Sequence, residues 1–311
     1  MHRSKTHFAA RINHVANALE RRGVRATYRL HDRMLSNRAS RRRFSSERPA
    51  LDERQQHVVS DLSEQGYSVV SFDELFSAEE LAEIEAQAAQ FTEETVAGLA
   101  GDGAQLRVRE GKEFVVRLHS YDSEVDLADP WFRLCASRRM LDIANSYVGM
   151  RTKLEYVDMW YSVPQPEGSR RVASQRWHRD FNDQRLMKAF LYLVDVDENM
   201  GPFEYIPGST GDGPYAGVWE WEPLGESYPN QREFETRFPD ATVRTFTGKK
   251  GALIFCDTSG FHRGGLSWTD PRVLATVTYS SPASLAALTE RNFRYAGSLE
   301  ELDETTRFAL S

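Results

Sequence analysis

Leu154-Glu155-Tyr156-Val157-Asp158-Met159-Trp160-Tyr161-Ser162-Val163 marks the point at which this 311-residue chain changes character. The segment reads as a strand, and it opens a series. Leu186–Val196, Phe203–Ile206, Val243–Phe246, Ala252–Cys256 and Val273–Ser280 carry the same β-branched and aromatic enrichment. Turn signals separate them: Asn199-Met-Gly-Pro202, Pro207-Gly208, Thr247-Gly248 and Asp270-Pro271. No helical crossover joins these strands. The expectation is therefore a mainly β protein with flanking helices, built on a closed or double-sheet core of the jelly-roll class.

Upstream, the pattern is helical. Phe8, Ile12, Val15 and Leu19 recur at helical spacing, so residues 7–22 read as an amphipathic helix ended by Gly23. Arg41 to Pro49 reads as a linker, and Asp52 to Gln65 as a polar helix closed by Gly66. Tyr67–Phe72 is a short strand candidate. Ser77-Ala-Glu-Glu80 is a capping box opening a helix to about Thr95, with a loop over Gly98–Gly103. Phe114–Leu118 reads as a strand, and Asp129-Pro130 opens a helix to about Val148. Residues 284–311 read as helical.

Charge is distributed unevenly. The net charge of −7 combines a basic head with an acidic body. Residues 1–48 hold thirteen Lys/Arg against three Asp/Glu, a local +10, which leaves −17 for the remainder. Such a head suits an anionic surface, nucleic acid or lipid, or else the acidic body of its own chain or of a second copy. No apolar run approaches the ~20 residues of a membrane span, and no signal-peptide core is present, so a cytoplasmic protein is expected. Cys135 and Cys256 match no metal spacing and read as buried thiols.

The chemistry gathers in Gln175-Arg-Trp-His178-Arg-Asp180-Phe181, Gly260-Phe-His262 and Arg272. His178 and Asp180 stand two residues apart, so on a strand they face the same side. His262 follows the strand Ala252–Cys256, which a jelly roll can set beside the one ending at His178. Two imidazoles and one carboxylate on one face of a metal leave the opposite face open for a cosubstrate and O₂, which suits non-haem Fe(II) better than Zn(II). Arg272 has its own rationale. A dicarboxylate cosubstrate chelating iron at one end needs a fixed cation at the other, and Arg offers a bidentate fork. Arg117 and Arg263 suit either a carboxylate ligand or an ordinary salt bridge. His2, His7, His14, His31, His57 and His119 read as surface or packing residues.

Trp177-His178-Arg-Asp180, Leu191-Tyr-Leu-Val-Asp-Val-Asp197-Glu-Asn-Met-Gly201-Pro-Phe-Glu204, Ile206-Pro207-Gly208-Ser209, His262 and Arg272 together resemble the phytanoyl-CoA dioxygenase family. The resemblance covers about residues 60–282, and its most specific part is 177–209. It implies an Fe(II)- and 2-oxoglutarate-dependent oxygenase on a double-stranded, cupin-like β-helix. Carried over, it makes His178, Asp180 and His262 the iron ligands. Arg272, with Arg117 as a second candidate, would hold 2-oxoglutarate. Related halogenases replace the carboxylate ligand with a small residue, so Asp180 favours hydroxylation or another oxidation without halide, with succinate and CO₂ as products. On this basis residues 1–50 form a basic helical extension and linker. Residues 51–311 form the oxygenase domain, with a jelly-roll core at about 110–282.

The substrate is expected to be a small molecule met by Trp160, Tyr161, Trp177, Arg179, Phe181 and Asn182. An insertion at 215–240, with Trp219-Glu-Trp221, reads either as a lid or as a surface excursion. As a lid, its Glu220 and Glu222 would disfavour a strongly anionic ligand. The competing reading is a non-catalytic jelly-roll protein that binds a metal or 2-oxoglutarate for regulation, with the basic head as a targeting module.

Overall fold

A computed structural model describes residues 23–100, 114–119, 124–211, 213–218, 228–238, 242–284 and 293–311. After a helical stretch over 23–33, the first half runs α1 (Ser36–Ser46), α2 (Glu53–Gln65), β1 (Tyr67–Ser71), α3 (Ala78–Ala100), β2 (Val115–His119), β3 (Glu124–Val125), α4 (Pro130–Cys135) and α5 (Arg138–Val148). The second half runs β4 (Lys153–Ser162), β5 (Met187–Tyr192), β6 (Phe203–Tyr205), α6 (Gln231–Arg237), β7 (Arg244–Phe246), β8 (Ala252–Cys256), β9 (His262–Gly264), β10 (Arg272–Ser280), β11 (Arg294–Tyr295) and α7 (Glu304–Leu310).

Six strands form one antiparallel sheet in the order β1-β8-β5-β10-β4-β2, and three form a second in the order β7-β6-β9. This is the mainly β, cupin-like jelly-roll architecture with flanking helices that the strand series predicts. Side-chain alternation gives the large sheet two different faces. On β10, Val273, Ala275, Val277 and Tyr279 join a core with Leu62, Trp131, Phe132, Met140 and Ile143 of the helices. Leu274 on the opposite face joins Tyr192 and Ile254, and these pack against Phe203, Tyr205 and Phe246 of the small sheet.

The N-terminal helices lie on this body. Tyr28 donates its hydroxyl to Asp183 at 2.5 Å, Asn37 donates to Ser281, and Ser40 donates to the Arg151 carbonyl at 2.6 Å. α2 begins and ends as its sequence dictates. Asp52 accepts from the Gln55 amide while the Gln55 side chain reaches back to the Asp52 N–H. Gly66 ends it at φ +85, and a Cβ there would meet the Tyr205 hydroxyl at 2.2 Å, so both backbone and packing require glycine.

Several boundaries differ from the sequence reading. Arg41–Ser46, expected within a linker, belongs to α1, because Phe44 is buried on its inner face. α3 continues to Ala100 rather than stopping near Thr95. The expected helix over 130–148 is two helices, since Ser137 caps a new one by accepting from the Met140 N–H. Residues 284–311 are not all helical: Arg294–Tyr295 pairs in parallel with Glu124–Val125 before α7. The expected helix at 7–22 lies outside the described residues. Cys135 and Cys256 are free and buried. Among the described residues no helix is long and apolar enough to cross a membrane.

Candidate metal centre

His178 and His262 exchange both backbone hydrogen bonds, His178 N–H to the His262 carbonyl at 3.1 Å and the reverse at 3.0 Å. Their ring centroids stand 4.2 Å apart. The expected neighbour of His178 was the strand Ala252–Cys256. That strand, β8, lies instead between β1 and β5 in the large sheet. It is β9, in the small sheet, that brings His262 to His178. The Asp180 N–H then donates to the Thr258 carbonyl at 2.8 Å, in the loop joining β8 to β9. One donor atom from each of His178, Asp180 and His262 falls within 4.8 Å of the others.

Local hydrogen bonds aim these donors. His178 Nδ1 faces the Arg176 carbonyl at 2.8 Å, and His262 Nδ1 faces the Gly260 carbonyl at 3.0 Å. A carbonyl only accepts, so each Nδ1 carries a proton and a neutral ring keeps its Nε2 lone pair free. Burial, aided by His178 and opposed by Asp180, brings the His262 pKa down to about 3, so this ring is neutral at neutral pH. For Asp180, burial pushes upward. Lys188 and the imidazoles outweigh it and hold the carboxyl below its ordinary range. Lys188 Nζ forms an ion pair with Asp180, 2.5 Å from Oδ2. Thr258 donates to the same oxygen. Oδ1 is the oxygen turned toward His262 Nε2, at 3.9 Å. Two lone-pair nitrogens and a carboxylate oxygen suit a divalent first-row metal such as Fe(II).

The triad lies in a cavity of about 380 Å³ between the two sheets, within the range of small-molecule sites. Arg272 enters it from the first residue of β10. Its Nη1 donates to the Gly201 carbonyl and its Nη2 to Ser162 Oγ. Burial lowers its pKa, Tyr192 opposing. Among the described residues no carboxylate pairs with this buried guanidinium, and its Nε has no partner. A ligand carboxylate would supply that missing charge. Gly201, at φ +69, leaves no space for a Cβ against the Gly265 carbonyl at 2.8 Å, so both backbone and packing require glycine there.

The other expected residues divide. Trp160, Phe181 and Asn182 line the cavity. Tyr161 does not: one position further along β4 it packs with the helix-side core. Trp177 joins Phe234 and Phe261 in a separate cluster, under the Arg263 guanidinium. Arg179 borders the cavity, but its guanidinium donates to the Ser259 and Ala216 carbonyls and stacks over Phe261. Of the two readings of Arg117, its contacts are those of a salt bridge: Nε is 2.6 Å from buried Asp158 and the guanidinium lies over Trp160. Arg263 likewise pairs with Glu204. Of the insertion, α6 sets Phe234 and Phe238 on Phe261, and Tyr228 stands 5.2 Å from the His178 ring. Trp219, Glu220, Trp221 and Glu222 lie outside the described residues.

Glu155, Lys188, Thr276 and Thr278 also line the cavity and were missed. Lys188 carried a signal, a lone cation inside an apolar strand. Glu155 carried none. Regular alternation would put it on the face opposite Tyr156, but the ladder pairs Thr278 with Tyr156 and Tyr279 with Leu154. Glu155 is the extra residue of a β-bulge and turns inward.

A model of the family described as phytanoyl-CoA dioxygenase matches residues 62–270. No curated protein matches the chain significantly. Among solved structures, AviO1 from Streptomyces viridochromogenes Tue57 is similar at 16% identity and TM-score 0.51, over 76% of this chain and 98% of that one. EctD from S. alaskensis, solved with 2-oxoglutarate and 5-hydroxyectoine, is similar at 23% identity and TM-score 0.50, over 74% and 76%. Both likenesses speak to the fold.

Proposed function

The chain belongs to the phytanoyl-CoA dioxygenase family of Fe(II)- and 2-oxoglutarate-dependent oxygenases, and from that premise we propose that it hydroxylates an unactivated C–H bond of a small molecule. The observation that carries the reading is the pairing, in one cavity, of a converging His178–Asp180–His262 donor set with the buried Arg272 guanidinium, which meets no carboxylate among the described residues and whose Nε has no partner there.

In this reading His178 and His262 offer their Nε2 atoms and Asp180 its Oδ1 to Fe(II), while Lys188 and Thr258 restrain the other carboxylate oxygen. Arg272 binds the distal carboxylate of 2-oxoglutarate with its fork. Fe(II), 2-oxoglutarate and O₂ supply the oxidising power, with release of succinate and CO₂. The chain's own work is to bind, orient and exclude water. Phe190, Phe203 and Leu274 give the cavity an apolar wall, and Tyr228 covers His178. Asp180 keeps a carboxylate on the metal, which supports hydroxylation over halogenation. Residues 51–311 form the oxygenase unit. The basic 1–50 segment is an extension, and its described part, from residue 23 on, is tied to the oxygenase unit through Tyr28 and Asn37.

The test is an anaerobic titration of metal-free protein with Fe(II) and 2-oxoglutarate, following the visible metal-to-ligand charge-transfer band. The wild type is expected to develop the band, Arg272→Ala to weaken it, and Asp180→Ala to alter or lose it. A band followed by no 2-oxoglutarate turnover with any substrate favours the regulatory alternative. A wild type without a band overturns the reading.

A further inference from the structure

The cavity is electrically lopsided along a single strand. Arg272, Leu274, Thr276 and Thr278 are spaced by two, so they share the cavity face of β10. Six residues of strand separate Arg272 from Thr278 by about 20 Å. At the Arg272 end stands a buried cation with no acid among the described residues. At the Thr278 end the situation is reversed.

Glu155 is 2% exposed and borders the cavity. Its carboxylate accepts from Asn182 Nδ2 at 2.7 Å, from Ser284 Oγ at 2.8 Å and from Ser280 Oγ. All are neutral donors, and no Lys, Arg or His among the described residues pairs with it. Burial is the largest influence raising the Glu155 pKa, and Asp183 adds repulsion; the cation on the strand beside Thr278, Lys188, is taken by Asp180 at 2.5 Å. A carboxylate removed from water without a counter-ion is costly. Beside it, Thr278 is 1% exposed and lines the same cavity. Its hydroxyl has no hydrogen-bond partner among the described residues. A buried hydroxyl without a partner and a buried carboxylate without a cation lack the same thing, a charged donor arriving from the cavity.

We propose that Glu155 and Thr278 form the anchoring subsite for the primary substrate, and that the substrate is a small molecule carrying a protonated amine. The inference rests on the oxygenase reading and deepens it. Arg272 takes the anionic cosubstrate at one end, Glu155 takes the cationic substrate at the other, and the opposite signs keep each ligand from the wrong end. Asn182 acts as a positioning residue that holds the Glu155 carboxylate.

The test uses the full chain loaded anaerobically with Fe(II) and 2-oxoglutarate. Cyclohexylamine, cyclohexanol and cyclohexanecarboxylate are matched probes, with affinity read from the shift of the visible band and by calorimetry. The amine is expected to bind about tenfold or more tighter than the other two, the lower end of what a hydrogen bond to a charged group contributes. Glu155→Gln should erase that preference, and Thr278→Val should reduce it a few-fold. Equal affinity for the three probes, no binding by any of them, or an amine preference that survives Glu155→Gln overturns the proposal. If Glu155→Gln does not fold, the wild-type ranking still decides. Absence of the band before any probe is added is failure of the oxygenase reading instead, so the two failures are distinguishable.

Discussion

The two faces of the large sheet are made by the same strands and could hardly differ more. Toward the helices, Val157, Met159, Ala189, Leu191, Ala275 and Val277 interlock with Trp131, Phe132 and Met140, all fully buried. Toward the small sheet, the alternate positions of β4 and β10 present Tyr156, Trp160, Arg272, Thr276 and Thr278 to a cavity. On that side Arg272 Nε and Thr278 Oγ1 lack partners among the described residues. The helix-facing side is what holds the chain folded. The other face is left incomplete, and ligands complete it. The difference shows how a strand buried on both sides can separate stability from chemistry at intervals of one residue.

Substitutions on each face should separate the two properties. Trp131→Ala, which empties a fully buried site and removes a donor to the Thr276 carbonyl, is expected to cost about 3–5 kcal/mol of stability. Urea unfolding measures that loss, and affinity for Fe(II) and 2-oxoglutarate should stay at the wild-type level while the protein is folded. Arg272→Met should do the converse. Apparent 2-oxoglutarate affinity falls by about 2–3 kcal/mol, some 30- to 150-fold. The unfolding free energy holds or rises, because a buried charge without an acid is gone. A large stability loss in Arg272→Met would blur the comparison.

Asp52→Ala, remote from both faces, sets the scale of an ordinary local contact at about 1 kcal/mol. The Gln55 amide is the main cause holding the Asp52 carboxyl below the ordinary range, with burial opposing and Arg139 assisting. The folded value lies below the unfolded one, so this contribution is complete above pH ~4 and is lost as the pH falls further. Unfolding midpoints of wild type and variant should accordingly converge toward acid pH.

Much of this was legible in the sequence, and for physical reasons. Strand alternation, Gly66, the Asp52 cap and the His-x-Asp spacing are local signals read within a few residues. Arg272 was legible because a cation opening a strand of otherwise apolar and hydroxyl residues is out of place. What stayed hidden depends on tertiary pairing. The inward turn of Glu155 exists only because β4 carries one residue more than β10 between paired positions. The occupation of Arg117 required knowing that Asp158 faces it. Tyr161 and Trp160 were equal candidates until the sheet had two sides. His262 was found, but its neighbour was misassigned, because a loop of a few residues lets the chain change sheets between Cys256 and His262.

The reciprocal backbone hydrogen bonds between His178 and His262 have a consequence for the timing of assembly. Two imidazoles tied through their main chains are held together by the ladder whether or not an ion has arrived, so the metal enters a prepared seat and does not have to fold one. Deuterium uptake can register this. The two amides should be slow to exchange in metal-free protein and change little on loading, whereas a centre gathered by its ion would reveal itself by freezing only when the ion is added.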